Sequence, residues 1–122
     1  MVLVDTSVWV DHLRGTNPRL KALLEKGEVV CHPLVIGELA CGNISRREEI
    51  LALLRSLPGA VVAVHEEAMR FLEAHRLMGI GLGFVDVHLL ASSRLTQASL
   101  WTLDHSLGNA AEKLGAGFSP SG

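Results

Sequence analysis

The residues with the clearest chemical potential in this chain of 122 residues are four acids: Asp5, Glu38, Asp86 and Asp104. Each stands in or beside an apolar run, and we expect all four carboxylates to meet at one edge of a small α/β sheet. Carboxylates held a few Å apart repel one another and raise one another's pKa values, which a bound divalent cation relieves. Mg²⁺ prefers such oxygen ligands and is typically held by one or two carboxylates together with waters and substrate phosphates. The residues therefore predict metal-assisted chemistry on a phosphate group.

Each acidic residue also has a purely structural interpretation. Asp is a favoured residue at a helix N-terminus, and Asp5, Asp86 and Asp104 all precede helical patterns. Glu38 lies instead inside the apolar stretch 34–40, where a buried carboxylate would be costly, so its alternative is exposure on the helix surface. For any one of these residues taken alone, the sequence leaves the structural and the chemical role open.

Hydroxyl side chains stand near two of these carboxylates. Thr6 and Ser7 follow Asp5 directly, where they could orient its carboxylate, bind a metal-bound water or satisfy nearby backbone groups. Thr102 precedes Asp104 by two residues and shares its strand face, so its hydroxyl could reach the same site. We include these three hydroxyls as supporting residues.

The histidines and cysteines form no recognisable metal motif. His88 and His105 neighbour two of the acids and could contact phosphate or lie beside a metal, but their spacing is not that of a zinc site, which favours a structural role. Cys31 and Cys41 form neither a CxxC pair nor a zinc spacing, so we expect reduced, buried thiols.

Apolar strand patterns alternate with helical patterns along the chain. This alternation predicts an α/β fold, a three-layer sandwich with a central, mostly parallel sheet of four or five strands flanked by helices. The expected strands cover residues 2–4, 28–31, 60–64 and 100–103. The expected helices contain Val8, Leu20, Glu38, Leu51, Ala68, Leu89 and Leu107, and Asp86 is expected to open the sixth of them.

Length and composition fit one soluble domain. The chain is 48% hydrophobic, which predicts a single domain over residues 1–122 with a flexible tail at 115–122. A charged leader and a bilayer-length apolar run are both lacking, so we expect a cytoplasmic protein with no membrane partner. The net charge of −2 argues against coating nucleic acid through bulk positive charge, so any RNA or DNA contact has to be local.

Four segments of the chain resemble the motifs of the PIN-domain family and, more narrowly, those of VapC-type toxins. The segments are VDTSVWVDHLR at 4–14, ELACG at 38–42, VDVHLLA at 85–91 and WTLD at 101–104. They span nearly the whole chain in the family's order. The resemblance implies a PIN-like fold and an endoribonuclease that depends on Mg²⁺ or Mn²⁺. It also implies a catalytic and metal-binding set with supporting hydroxyls: Asp5, Glu38, Asp86 and Asp104, with Thr6 and Ser7 beside them.

The resemblance further implies an RNA substrate, a cognate VapB-type antitoxin and a homodimer. Two features depart from the family pattern. Many relatives have another acidic residue shortly after the third motif Asp, where this chain has Val87, His88 and Leu89. The basic residue often found after the last motif Asp is His105 here, so phosphate contacts and cleavage preference could differ. Neither departure removes the four-acid set.

Two other functions stay open. A haloacid-dehalogenase-like phosphatase also has an Asp after its first strand, but its motif needs a second Asp two residues later, where this chain has Ser7. A non-catalytic PIN-like module that only binds its antitoxin or nucleic acid fits the same pattern, although four intact acidic positions argue for catalysis. Turnover of p-nitrophenyl phosphate would favour the phosphatase, and RNA binding without cleavage would favour the module.

Overall fold

A parallel sheet of three strands lies at the centre of residues 1–120, the part of the chain that the computed structural model describes. The strands are β1 (Val2–Val4), β2 (Val29–Val30) and β3 (Ser99–Trp101), in the order β2-β1-β3. Val2 pairs with Val29 on one side and with Ser99 on the other. All three residues of β1 are buried, which is why this central strand is a continuous apolar run.

Helices flank this sheet, which confirms the predicted α/β class. Within residues 1–120 there are seven: α1 (Thr6–Gly15), α2 (Pro18–Glu25), α3 (Pro33–Cys41), α4 (Arg47–Ser56), α5 (His65–Ala74), α6 (Phe84–Thr96) and α7 (His105–Lys113). The helices and the sheet bury one continuous apolar core around β1 and β3. In the described part of the chain, no helix combines the length and the apolar character needed to cross a bilayer.

The strand predicted at 60–64 does not form, so the described sheet is smaller than the four or five strands expected. Only Gly59 pairs with Cys31, in an isolated parallel bridge, and Ala60 donates its N–H to the Cys31 carbonyl at 2.9 Å. Beyond that point β2 offers no further partner, because Pro33 has no N–H and begins α3. The valines that follow are consequently exposed: Val61, Val62 and Val64.

The segment expected to form a loose tail is partly held against β3. Leu100 donates its N–H to the Ala116 carbonyl at 2.7 Å and accepts from the Phe118 N–H at 3.0 Å. The Phe118 ring lies 5.2 Å from the Trp101 ring, measured between centroids. The first residues after α7 therefore line the edge of β3 that β1 does not occupy, whereas 121–122 fall outside the described residues.

Candidate active site

Asp5 and Asp104 reach the same edge of the sheet because their strands are parallel neighbours. Asp5 directly follows β1, and Asp104 follows β3 after two intervening residues. The backbone N–H of Asp5 donates to the Trp101 carbonyl at 2.9 Å, which continues the pairing of the two strands past the end of β1. The carboxyl ends of parallel strands are the usual place for a ligand site in an open α/β sheet.

Two hydroxyls fix the carboxylate of Asp5, which is only 7% exposed. Ser7 Oγ and Thr102 Oγ1 each donate to Asp5 Oδ2 at 2.7 Å, and the two hydroxyl oxygens lie 3.3 Å apart. Each hydroxyl also accepts a backbone N–H, Ser7 from Leu103 at 2.9 Å and Thr102 from Asp104 at 3.0 Å. Because a carboxylate oxygen is an acceptor, both hydroxyl protons point at Asp5. Nothing in residues 1–120 donates to Asp5 Oδ1, which is left for another ligand.

Asp104 has the structural role that its position before a helix predicts. It is the N-cap of α7, and its Oδ2 accepts the Leu107 N–H at 2.9 Å. The residue is exposed, and capping occupies only one of its carboxylate oxygens. Asp5 also stands at an N-cap position, that of α1, but its side chain makes no capping hydrogen bond and receives the hydroxyls instead. Helix capping therefore explains the contact of one Asp104 carboxylate oxygen, but it does not explain the contacts of the Asp5 side chain.

Glu38 lies on α3 with its side chain exposed, which is the surface placement left open from the sequence. Thr6 Oγ1 donates to Glu38 Oε1 at 2.6 Å, so the first residue of α1 joins this carboxylate to the end of β1. Thr6 and Ser7 therefore serve different acids, since Ser7 turns towards Asp5.

Asp86 lies in the first turn of α6 and does not open the helix as predicted. The helix begins at Phe84, with Gly83 at its N-cap, and Asp86 Oδ2 accepts the Gly83 N–H at 3.0 Å. A glycine cap leaves little trace in a sequence that also has Gly79 and Gly81 nearby, which explains the error in the boundary.

The pKa of the half-buried Asp86 carboxyl reflects its burial and the proximity of the three other acids. Burial raises this pKa above its usual value, and repulsion from Asp5, Asp104 and Glu38 raises it further. The hydrogen bond from Gly83 opposes these effects by stabilising the charged form. The structure thus brings the carboxylates within electrostatic reach of one another.

Carboxylate oxygens are the donors that Mg²⁺ prefers, so the residue types present fit a hard divalent cation. Among residues 1–120, no three His, Cys, Asp or Glu side chains converge closely enough to enclose a metal ion. Charge repulsion acts over longer distances than a coordination bond, so carboxylates too far apart to enclose one ion can still raise the pKa of Asp86. An Mg²⁺ ion needs only one or two protein carboxylates beside waters and phosphate.

A buried histidine that the sequence analysis missed supports the two helices that carry Glu38 and Asp86. His32 is 0% exposed; its Nδ1 accepts the Leu34 N–H at 3.0 Å, which caps α3. Its Nε2 lies 3.1 Å from Ser92 Oγ on α6. Because Nδ1 accepts, the ring proton is on Nε2 and is donated to Ser92. Burial and the nearby His88 lower the pKa of His32 to about 4, so the ring is neutral at physiological pH.

Neither of the two neighbouring histidines contacts a carboxylate in the described part of the chain. The exposed His105 places its Nε2 3.2 Å from the Asn109 amide nitrogen. The His88 ring packs edge-on against Phe84 at 4.8 Å, and its Nδ1 is buried without a hydrogen-bond partner within residues 1–120. Burial, with repulsion from His65, lowers the pKa of His88.

Both cysteines are free thiols, as expected. The expectation that both are buried is confirmed for Cys31 and is wrong for Cys41, which is exposed. Burial raises the pKa of the Cys31 thiol to about 11, so this residue is a neutral core side chain and not a nucleophile.

Comparison with known proteins gives a consistent pattern. The sequence profile of the PIN domain matches residues 2–113. The chain is 50% identical over 108 residues to Ribonuclease VapC32 of Mycobacterium tuberculosis, a span of 88% of this chain and 87% of that protein. A chain from a toxin–antitoxin complex of Klebsiella pneumoniae superposes with a TM-score of 0.73 at 17% identity, covering 98% of both chains. FitAcB from Neisseria gonorrhoeae gives 0.67 at 20% identity over 99% of both chains. The two superpositions establish the fold.

Proposed function

This chain belongs to the PIN-domain family and resembles its VapC-type members, and on that basis we propose that it is a metal-dependent endoribonuclease, the toxin of a VapBC-type pair. The proposal is supported above all by the geometry where the parallel strands end, with Ser7 and Thr102 holding Asp5 Oδ2 and Thr6 donating to Glu38. Burial of Asp86, together with repulsion from Asp5, Asp104 and Glu38, raises the pKa of its carboxyl and agrees with this grouping. Such a concentration of negative charge at the sheet edge opposes folding, and it is useful for holding a cation against a phosphate.

Asp5, Glu38 and Asp86 would help to hold the Mg²⁺ or Mn²⁺ ion, one or two of them by direct contact and the rest through its bound waters. When bound, the ion would lower the pKa of a coordinated water and neutralise charge on the scissile phosphate. Ser7 and Thr102 fix the orientation of the Asp5 carboxylate by holding its Oδ2, and no donor within residues 1–120 occupies its Oδ1. This arrangement is preorganised, so little reordering is needed when substrate arrives.

Asp104 has a different task in this mechanism. Its exposed carboxylate uses Oδ2 to cap α7, which leaves the other oxygen to orient the attacking water or to help hold a second ion. In-line attack of this water on phosphorus would form the new P–O bond and break the bond to the 3′ oxygen, leaving a 5′-phosphate on one product and a 3′ hydroxyl on the other. The backbone of Asp104 is held by the hydrogen bond from its N–H to Thr102 Oγ1, which itself donates to Asp5.

Two protein partners and a location complete the proposal. A cognate VapB-type antitoxin would neutralise the enzyme, which agrees with the similarity to a chain from a toxin–antitoxin complex. A homodimer is supported by the exposed apolar side chains around α5 and the start of α6. The cytoplasm is the location where an RNA substrate would be met.

The decisive test is cleavage of a pool of structured and single-stranded RNA by the purified protein with Mg²⁺, with Mn²⁺ and with EDTA. We expect cleavage only with metal, and a loss of about 100-fold or more in Asp86→Asn, which removes a charge with little change of shape. Glu25→Gln is the matched control, because Glu25 is an exposed acid at the end of α2, and it should cleave at the wild-type rate.

Two outcomes would overturn the assignment. Cleavage by Asp86→Asn at the wild-type rate would remove this residue from the site. A folded wild-type protein that binds RNA and never cuts it with either metal would instead be a non-catalytic binding module.

A further inference from the structure

A groove of about 630 Å³ extends from the candidate active site along α1. It lies between α1, the second half of α3 and the loop 42–46 that leads into α4. Thr6 and Glu38, joined by their hydrogen bond of 2.6 Å, both line it. One wall of the groove is thus part of the carboxylate site.

Two arginines line the same groove, Arg14 at the far end of α1 and Arg46 in the loop before α4. Arg14 is exposed, and no carboxylate among residues 1–120 pairs with it. Arg46 pairs with Glu49 at 2.6 Å, but both side chains are exposed, so that ion pair is weak and readily exchanged for another anion. The loop 42–46 itself contains no acidic residue. The groove is therefore negative where it meets the active site and positive away from it.

The rest of the groove offers both apolar surface and hydrogen-bond donors. Val10 and Leu13 present half-buried apolar side chains from α1. His12 accepts the Asn17 N–H on Nδ1 at 3.0 Å, so its proton is on Nε2, where it can be donated to a ligand. Apolar surface beside such donors suits a ligand with flat bases and a polar backbone.

Building on the proposed endoribonuclease function, we propose that this groove binds the single-stranded RNA adjacent to the cleaved phosphate, with Arg14 and Arg46 contacting backbone phosphates. Arg14 lies eight residues beyond Thr6, about 12 Å along α1 at the rise of an α-helix, a distance that a few extended nucleotides span. The volume of the groove is in the range of small-molecule pockets. A groove of this size can accept part of a single strand but is too small for a duplex.

Charge distinguishes RNA from a polypeptide in this groove. The proposed metal ion would neutralise only the phosphate that is cleaved. The neighbouring phosphates of the strand need other cations, and Arg14 and Arg46 supply positive charge away from the carboxylates. A partner segment with basic side chains would suit Glu38 but would be repelled by the two arginines. The groove therefore favours a phosphate backbone along its length.

The test measures binding of a short fluorescein-labelled single-stranded RNA of mixed sequence, in Mg²⁺ buffer, to the Asp86→Asn protein. Arg14→Gln and Arg46→Gln are added separately to this parent. Each should weaken binding about tenfold and reduce the slope of log affinity against log salt by about 0.7, the value for one lost phosphate contact on a single strand. Arg19→Gln is the control, because Arg19 is exposed on α2 and lies outside the groove, and it should bind like the parent.

A kinetic measurement separates a binding role from a general defect. In the otherwise wild-type enzyme, Arg14→Gln should raise KM and leave kcat nearly unchanged, because it removes a contact made equally before and during the reaction. Thermal unfolding of each variant shows whether the fold is intact.

Three results would overturn the inference. If both groove variants keep the parent's affinity and salt slope while the wild type cleaves RNA, the strand takes another path and the proposed function stands. If Arg14→Gln weakens binding of the purified cognate antitoxin and not of RNA, the groove is a partner interface. If folded wild-type protein neither binds nor cuts RNA, both the groove assignment and the proposed function fail.

Discussion

The candidate site has two halves that are built differently. The strand half consists of Asp5 and Asp104, which follow neighbouring parallel strands and are joined by the hydroxyls of Ser7 and Thr102. Those hydroxyls in turn accept backbone N–H groups, so this half is held by the continuation of the sheet itself.

The helix half consists of Glu38 on α3 and Asp86 on α6. Glu38 is exposed and receives one side-chain hydrogen bond, from Thr6. The relative position of the two helices depends on the buried contact between His32 and Ser92. The contacts that hold the strand half thus lie beside the carboxylates, whereas the contact that supports the helix half lies in the core. Substitutions in the strand half should therefore act mainly on cleavage, and substitutions of the core contact mainly on stability.

The largest expected effect concerns the support of the helix half, and its signature is a dependence of stability on pH. His32 has a pKa of about 4 in the folded protein against an ordinary value of 6.5. Between these values the unfolded chain binds the proton first, so the free energy of unfolding falls as the pH drops from 6.5 to about 4. The full contribution of His32 is about 3 kcal/mol. Urea denaturation across this pH range measures it.

His32→Asn is the control, because the many carboxylates of the protein also titrate in acid. An asparagine can still cap α3 by accepting the Leu34 N–H, but it has no titrating ring and leaves Ser92 without its partner. The variant should be less stable than wild type at neutral pH by about 1–3 kcal/mol, with a flatter pH dependence. Parallel curves for the two proteins would mean that His32 does not titrate in this window.

A matched pair of Thr→Val substitutions compares the two halves directly. Thr102→Val removes the hydroxyl that bridges Asp5 and the Asp104 N–H, so we expect cleavage to fall by about 10- to 100-fold. Thr6→Val removes a single bond to the exposed Glu38, where water can substitute, and cleavage should fall by less than about threefold. Initial rates on one RNA at saturating Mg²⁺ measure both. Equal losses would mean that the helix half is as tightly organised as the strand half.

The strand half was largely predictable from the sequence, because the position of each of its side chains is determined by the residues immediately around it. An apolar run that ends in Asp gave the position of Asp5, and two-residue alternation placed the Thr102 side chain towards the same site. The direct contact of Ser7 with Asp5 also follows from a separation of two residues. These features depend on the chain immediately around them.

The features that the sequence analysis missed depend on contacts between distant segments. The run 60–64 has strand-forming residues, but pairing requires a free edge on β2, which Pro33 ends. The contact between His32 and Ser92 joins residues 60 positions apart, and its one local sign was a histidine before a proline at a helix start. Neither the sequence around His32 nor the sequence around Ser92 indicates that the two residues are in contact.

The smallest expected effect tests whether the two halves repel one another. Asp86→Asn should raise the midpoint of thermal unfolding in EDTA by a few degrees, because it removes a charge that is destabilised by burial and by repulsion from Asp5, Asp104 and Glu38. The amide oxygen can still accept the Gly83 N–H, so the helix cap is kept.

Asp104→Asn provides the opposite case within the same site. Asp104 is exposed, and its charge interacts favourably with the N-terminus of α7, so this variant should be unchanged or destabilised by up to about 0.5 kcal/mol.

Because the pKa of Asp86 is raised in the folded state, its ionisation opposes folding, and the gain in stability of Asp86→Asn should disappear as the pH falls below the pKa of Asp86 in the unfolded chain. If Asp86→Asn is instead destabilised at neutral pH, repulsion among the acids is too weak to matter, and the four carboxylates do not form one electrostatic site.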